Sequence, residues 1–187
     1  MTRGFAHGPL DFGSMPAPVK ALVVANVVAF VVSLLAKGAF DTFGLVPAHL
    51  WGDRWVWQPV TYLFLHAEIL HLLFNLLALW MFGMPIHAQW GSHEFVKYYF
   101  LCGIGAGLIA AGLEPHSTAP IVGASGALFG LLVAFAMLYP DAVVYLYFFF
   151  PMRAKHMAIL FGLLEFFAGA TSATPGVARF AHLGGML

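Results

Sequence analysis

The chain has 187 residues, 61% of them hydrophobic and 9% charged, with eight basic residues balancing eight acidic ones. Soluble domains carry about 25% charged and about 45–50% apolar residues, so this composition excludes an ordinary water-soluble globule and points to a multi-spanning membrane protein. Zero net charge without a long basic run leaves nucleic acid binding no electrostatic basis, and a single cysteine, Cys102, excludes an internal disulfide.

Residues 1–18 are rich in Gly and Pro, carry one arginine (Arg3) and lack an apolar run. They read as a flexible cytoplasmic tail, not a signal peptide. Residues 19–187 read as one membrane domain, incomplete at the C-terminus. A helix crossing the hydrocarbon needs about 20 mostly apolar residues. The sequence predicts such helices over 19–36, 62–82, 95–113, 121–139 and 156–170, and a sixth that begins near Val177 and stops at Leu187. Eleven residues give only about 16 Å of helix. The expected fold class is therefore all-α, a six-helix transmembrane bundle with its sixth helix truncated.

Two segments stand outside that count. Residues 50–58 set Trp51, Trp55 and Trp57 among Asp53 and Arg54, which predicts a loop at the outer membrane–water interface, where indole rings are favoured. Residues 142–150 are apolar but short and closed by Pro151, and read as an interfacial or partly buried stretch. With the N-terminus inside, Arg3, Lys20, Lys97, Arg153 and Lys155 lie on the cytoplasmic side, against Lys37, Arg54 and Arg179 outside. That bias favours the inside orientation in a multi-pass protein, expected in a bacterial plasma membrane.

Parity then brings three polar residues to one level. Helices two, four and six all run inward, and His71, Ser125 and His182 each lie a few residues into their helix. Ser125 stands in Gly123-Ala124-Ser125-Gly126, and His182 in Ala181-His182-Leu183-Gly184-Gly185. A serine hydroxyl becomes a nucleophile when a neutral histidine takes its proton, and a low dielectric keeps histidine neutral. The small residues Gly123, Gly126, Gly184 and Gly185 permit close helix approach. Taken singly, Ser125 reads as a packing residue and His182 as a buried histidine bonded to a carbonyl. Their shared depth favours a catalytic dyad, since intramembrane ionisable groups are costly.

On helix two, His71 and Asn75 are four apart and share a face. With the Ser125 backbone N–H they are candidate donors for the oxyanion of acyl transfer; the plainer alternative is a pair of interhelical hydrogen bonds. His66, Glu68 and His71 lack the four-residue histidine spacing of a zinc helix and no second cluster supplies a further ligand, so no metal and no cofactor are expected. Glu165, in helix five, has no role in this scheme.

These residues resemble the rhomboid family of intramembrane serine proteases. His71-Leu-Leu-Phe-Asn75 is similar to the family's HxxxN motif, preceded at the expected distance by Trp57, Thr61 and His66. Gly123-Ala124-Ser125-Gly126-Ala127-Leu128-Phe129-Gly130 is similar to its GASGAxxG motif, and Ala181-His182-Leu183-Gly184-Gly185 to its AHxxG motif. The resemblance implies Ser125 as nucleophile, His182 as general base and acid, His71 and Asn75 at the oxyanion, and Phe129 beneath the His182 ring. It further implies substrates that are single-span transmembrane proteins, entering from the bilayer beside helix five. Two positions depart from the pattern: His87 stands where a glutamate is usual, and Trp57-Gln58 replaces a tryptophan–arginine pair. The alternatives are an inactive rhomboid-like protein that binds transmembrane clients, which typically lacks the serine or the histidine, and a small transporter, which would show internal repeats.

Overall fold

A computed structural model of the chain describes residues 15–146, 150–171 and 184–186. It is built mainly of helices. The first, α1 (Ala17–Leu35), is about 28 Å long and begins with Pro18 in its first turn, where a missing N–H costs nothing. Val24, Val28, Val31, Leu34 and Leu35 are exposed along it, an apolar surface suited to lipid. A short helix α2 (Ala39–Phe43), a π-helical turn (His49–Asp53), α3 (Gln58–Thr61) and a 3-10 turn (Tyr62–Phe64) make up the first loop.

The second expected helix starts later than the apolar pattern suggested. Leu65 and Glu68 are extended, and the long helix begins only at α4 (Ile69–Ala78). It continues through a π-helical turn (Leu79–Gly83) into α5 (Met84–Leu113). Pro85 supplies no N–H to the preceding turn, a sufficient reason for the ladder to widen there. The run Ile69–Leu113 has 45 residues, about 68 Å if straight and twice what a bilayer core needs. Gly91, at φ 78° and ψ 174°, breaks it into two spans of about 33 Å each. His87 and Ser92 bridge that break through a 3.0 Å hydrogen bond between Nε2 and Oγ, and the His87 ring stands edge-on to Phe95. His87 thus ties the corner together.

Helix α6 (Ser125–Leu138) packs chiefly against α5 and is only about 21 Å long. The apolar stretch after it is a hairpin, a difference from the all-helical expectation: β1 (Val143–Leu146) pairs antiparallel with β2 (Phe150–Arg153). β-branched and aromatic residues in this run favour the pleated surface. The hairpin is tethered at its base, where Asp141 accepts hydrogen bonds from Lys155 (2.8 Å) and Arg153 (3.2 Å). These cations hold the exposed Asp141 carboxyl below its ordinary range, Lys155 most strongly. Helix α7 (Ala154–Thr171) follows directly. Of the ends of the chain, the N-terminal tail and the sixth helix expected from Val177 lie outside the described residues, except for Met15 to Pro18 and a helical turn at 184–186. The described part includes two helical runs long and apolar enough to cross a membrane, Ala17–Leu35 and Ile69–Leu113.

The core binds α5 and α6 to α1 and the corner, through Phe95, Tyr99, Leu131 and Ile86. A second cluster, including Leu45, Tyr62, Leu63 and Ala106, seats the first loop on α5.

Candidate active site

Ser125 is the first residue of α6, where helix geometry aims backbone N–H groups out of the helix end. The approach to it is rigidly held. Leu45 and Ile121 form a two-way backbone bridge, and the Gly123 N–H donates to the Tyr62 carbonyl at 2.9 Å. Gly123 itself has φ +118°, a conformation that side chains rarely adopt, and a Cβ there would sit 2.8 Å from both Cε1 and Nε2 of His71 and 3.8 Å from Ser125 Oγ. The positive φ favours glycine, and a Cβ would press the His71 ring out of place. The imidazole of His71 and the Ser125 hydroxyl therefore flank the same small volume.

Asn75 is buried on the facing wall. Its Nδ2 donates to the His71 carbonyl at 2.7 Å, one turn back, while its Oδ1 has no partner among the described residues. A primary amide carries two N–H groups, so one remains beyond the bond to His71. His66 is fully buried ahead of the span, its ring edge-on to His71 with centroids 4.9 Å apart. Its Nδ1 lies 3.3 Å from the Phe64 carbonyl, so this nitrogen carries the proton and Nε2 is the bare acceptor. Burial, with the neighbouring His71, pushes the His66 imidazole down to about 4, so it is neutral at physiological pH. No group of three or more potential metal ligands occurs among the described residues.

Ser125 and Asn75 stand at one end of an apolar groove of about 310 Å³. Its walls come from α4 (Phe74, Ala78), α6 (Leu128, Leu132) and α7 (Met157, Phe161), and its far end from Val144 and Tyr145 of the hairpin. Phe129 also lines it, with its ring edge-on to Phe161. The hairpin residues and Met157 were missed by sequence reasoning. The hairpin's only signal was an apolar run of ambiguous conformation, and Met157 fell within the expected fifth helix with nothing to mark it.

His182 lies outside the described residues, as does any contact of Phe129 with it. The chain just beyond is described. A Cβ on Gly185 would land on the carbonyl oxygen of Gly126, and one on Gly184 would lie 3.1 Å from the Ala106 Cα. A Cβ on Gly130 would lie 2.8 Å from the Gly185 carbonyl oxygen. The turn at 184–186 thus rests backbone to backbone on the first turns of α6, as the small residues predicted.

The tryptophan–glutamine departure has a structural answer. Gln58 is fully buried; its Oε1 accepts from the Val46 N–H (3.0 Å) and its Nε2 donates to the carbonyls of Asp41 (3.1 Å) and Thr42 (3.4 Å). Trp57 and Thr61 add hydrogen bonds to the carbonyls of Thr42 and Phe43, and Trp51 donates to the Ala111 carbonyl at the end of α5. Gln58 and Thr61 of α3, with Trp57 just before it, thereby anchor the first loop.

Comparison with known proteins matches residues 53–187 to the rhomboid domain. The chain belongs to the rhomboid family. It is 29% identical over 179 residues to Rhomboid-like protease 3 of Toxoplasma gondii, covering 89% of this chain and 64% of that protein. It is 33% identical over 128 residues to Rhomboid protein 1, mitochondrial, of Saccharomyces cerevisiae, covering 66% and 37%. The Putative rhomboid protease YdcA of Bacillus subtilis is 28% identical over 181 residues, covering 86% and 83%. This rhomboid chain therefore spans less than two thirds of the length of several curated relatives and most of YdcA.

Proposed function

We propose that this rhomboid protein is an intramembrane serine endopeptidase that cleaves transmembrane-anchored proteins through a Ser125–His182 dyad near the outer membrane face. The observation that carries the reading is the placement of Ser125 at the head of an apolar groove, with Asn75 on the opposite wall and His71 beside it. Relatives named as proteases favour the same reading. Gly185 stands three positions after His182, a reach of about 11 Å at most. Gly185 rests on Gly126, next to Ser125, which supports pairing the segment that carries His182 with Ser125.

In this mechanism His182 removes the Ser125 hydroxyl proton as Oγ attacks the scissile carbonyl. Negative charge develops on the carbonyl oxygen, where the second N–H of Asn75, a His71 ring N–H and the Ser125 backbone N–H stabilise it. The tetrahedral species collapses as His182 gives its proton to the leaving amine, which departs and leaves an ester on Ser125. Water, deprotonated by His182, then hydrolyses that ester, releasing the acid and restoring the hydroxyl. The exposed apolar surfaces of α1 and α4 suit lipid, and a single-span substrate would enter the groove that α4, α6 and α7 line. An unwound peptide costs several kcal/mol in hydrocarbon, so the polar groups at the groove head also stabilise the unwound stretch of the substrate.

A fluorophosphonate, which esterifies activated serines, tests this directly. The expected result is a single adduct on Ser125 that disappears in His182→Ala. An adduct on another residue, or undiminished labelling of Ser125 in His182→Ala, overturns the dyad.

A further inference from the structure

The groove does not end at the chemistry. It runs from Ser125 past Leu132, seven residues and about 10 Å along α6, to Val144 and Tyr145 of the hairpin. We infer that Tyr145, with Val144, is a specificity-determining contact that reads the substrate's membrane segment several residues beyond the scissile bond. This rests on the proteolytic reading above and adds a second recognition point at the opposite end of the groove.

The occupant follows from continuity and chemistry. Only the head of the groove is polar; every other lining residue except Tyr145 is apolar, which suits the apolar half of a membrane segment whose cleaved bond lies at Ser125. An extended chain covers the ~10 Å from Ser125 to Leu132 in about three residues, and with the hairpin following the end of that helix we place Tyr145 against side chains about four to six positions past the cleaved bond. Val144 is buried, and Tyr145 is 58% exposed, leaving its ring available to a ligand. The hairpin is held in place for this contact. Ala154 N–H donates to the Ala142 carbonyl, Lys155 N–H to the Pro140 carbonyl, and Asp141 ties down Arg153 and Lys155. A tyrosine on such a base offers a large amphipathic surface at low entropic cost.

The test uses the full chain in detergent with two kinds of substrate. One is a single-span protein series differing only in side-chain size four to six residues past the cleaved bond. The other is a short reporter peptide ending two residues past it. Tyr145→Ala should change the ranking of the single-span series by about tenfold in kcat/KM, the scale of a pocket gaining or losing a few methylenes. The short peptide, which ends before the hairpin, should lose less than the single-span series, and Tyr145→Phe should retain most of the ranking. An unaltered ranking, or an equal loss on both kinds of substrate, overturns the inference while leaving the protease intact. Peptide hydrolysis that persists in Ser125→Ala overturns the protease reading instead.

Discussion

Gly185 lies directly on Gly126: no atom larger than hydrogen fits between the two backbones. The contact joins the turn that follows His182 to the turn that begins with Ser125. A methyl group at residue 185 would meet only backbone, which cannot swing aside as a flexible side chain can. Gly185→Ala should therefore displace the His182 segment, and a misplacement of about 1 Å costs about 100-fold in rate. Gly105→Ala, where a Cβ would meet open space, is the control and should leave proteolysis unchanged. Equal activity in the two variants would detach this contact from catalysis.

Asn75→Ala removes a donor from the proposed oxyanion site, for which a loss of about 10²–10³ in kcat is expected. KM should move little, since the charge it stabilises exists only in the transition state. A change confined to KM, with kcat preserved, would assign Asn75 to substrate binding or to packing.

Gln58→Leu keeps bulk but strands the buried Val46 N–H and takes a donor from the Asp41 carbonyl, while the Thr42 carbonyl keeps its bond from Trp57. Leaving a buried donor unsatisfied costs about 1–3 kcal/mol, so the unfolding midpoint should fall clearly. Gln58→Glu keeps the acceptor and loses the donor, and should fall between the wild type and Gln58→Leu. A midpoint unchanged in Gln58→Leu would show that Trp57 and Thr61 suffice to hold the loop.

The Asp141 cluster gives a pH signature. Its folded-state carboxyl is held below the unfolded value by Lys155 and Arg153. That stabilisation is present above the unfolded value of about 4 and is lost as pH falls through the lower folded value. Asp141→Asn should flatten the acid limb of stability below about pH 4, and the effect should shrink with added salt because the cluster is exposed. An acid limb identical in wild type and variant would show that the cluster contributes nothing to stability.

Much of the site was legible in the sequence because its chemistry is local. The Gly123–Gly130 motif marked Ser125 and a small-residue face, but the structure starts α6 at Ser125 itself, later than the apolar run from Ile121 suggested, and gives Gly123 a positive φ that the motif did not announce. His71 and Asn75 share a face because they are four apart in a helix. The boundaries were less legible. The apolar run 62–82 conceals an extended stretch from Leu65 to Glu68, since hydropathy is blind to the bond His66 makes back to Phe64. The run 142–150 has no periodicity to separate helix from strand, so its hairpin, and with it the far end of the groove, emerged only in three dimensions. Gln58 looked like a departure from the family pattern because its partners are backbone groups, which leave no mark on the sequence.

The central claim is that Ser125 and His182 together cut a peptide bond within the membrane. The most direct measurement is cleavage of a single-span protein in proteoliposomes by wild type, Ser125→Ala and His182→Ala, with the new termini identified by mass spectrometry. The account predicts cleavage by the wild type alone, at one bond near the outer membrane face. Cleavage by Ser125→Ala at the same bond, or none by a correctly folded wild type with any of a panel of helix-destabilised substrates, would contradict it.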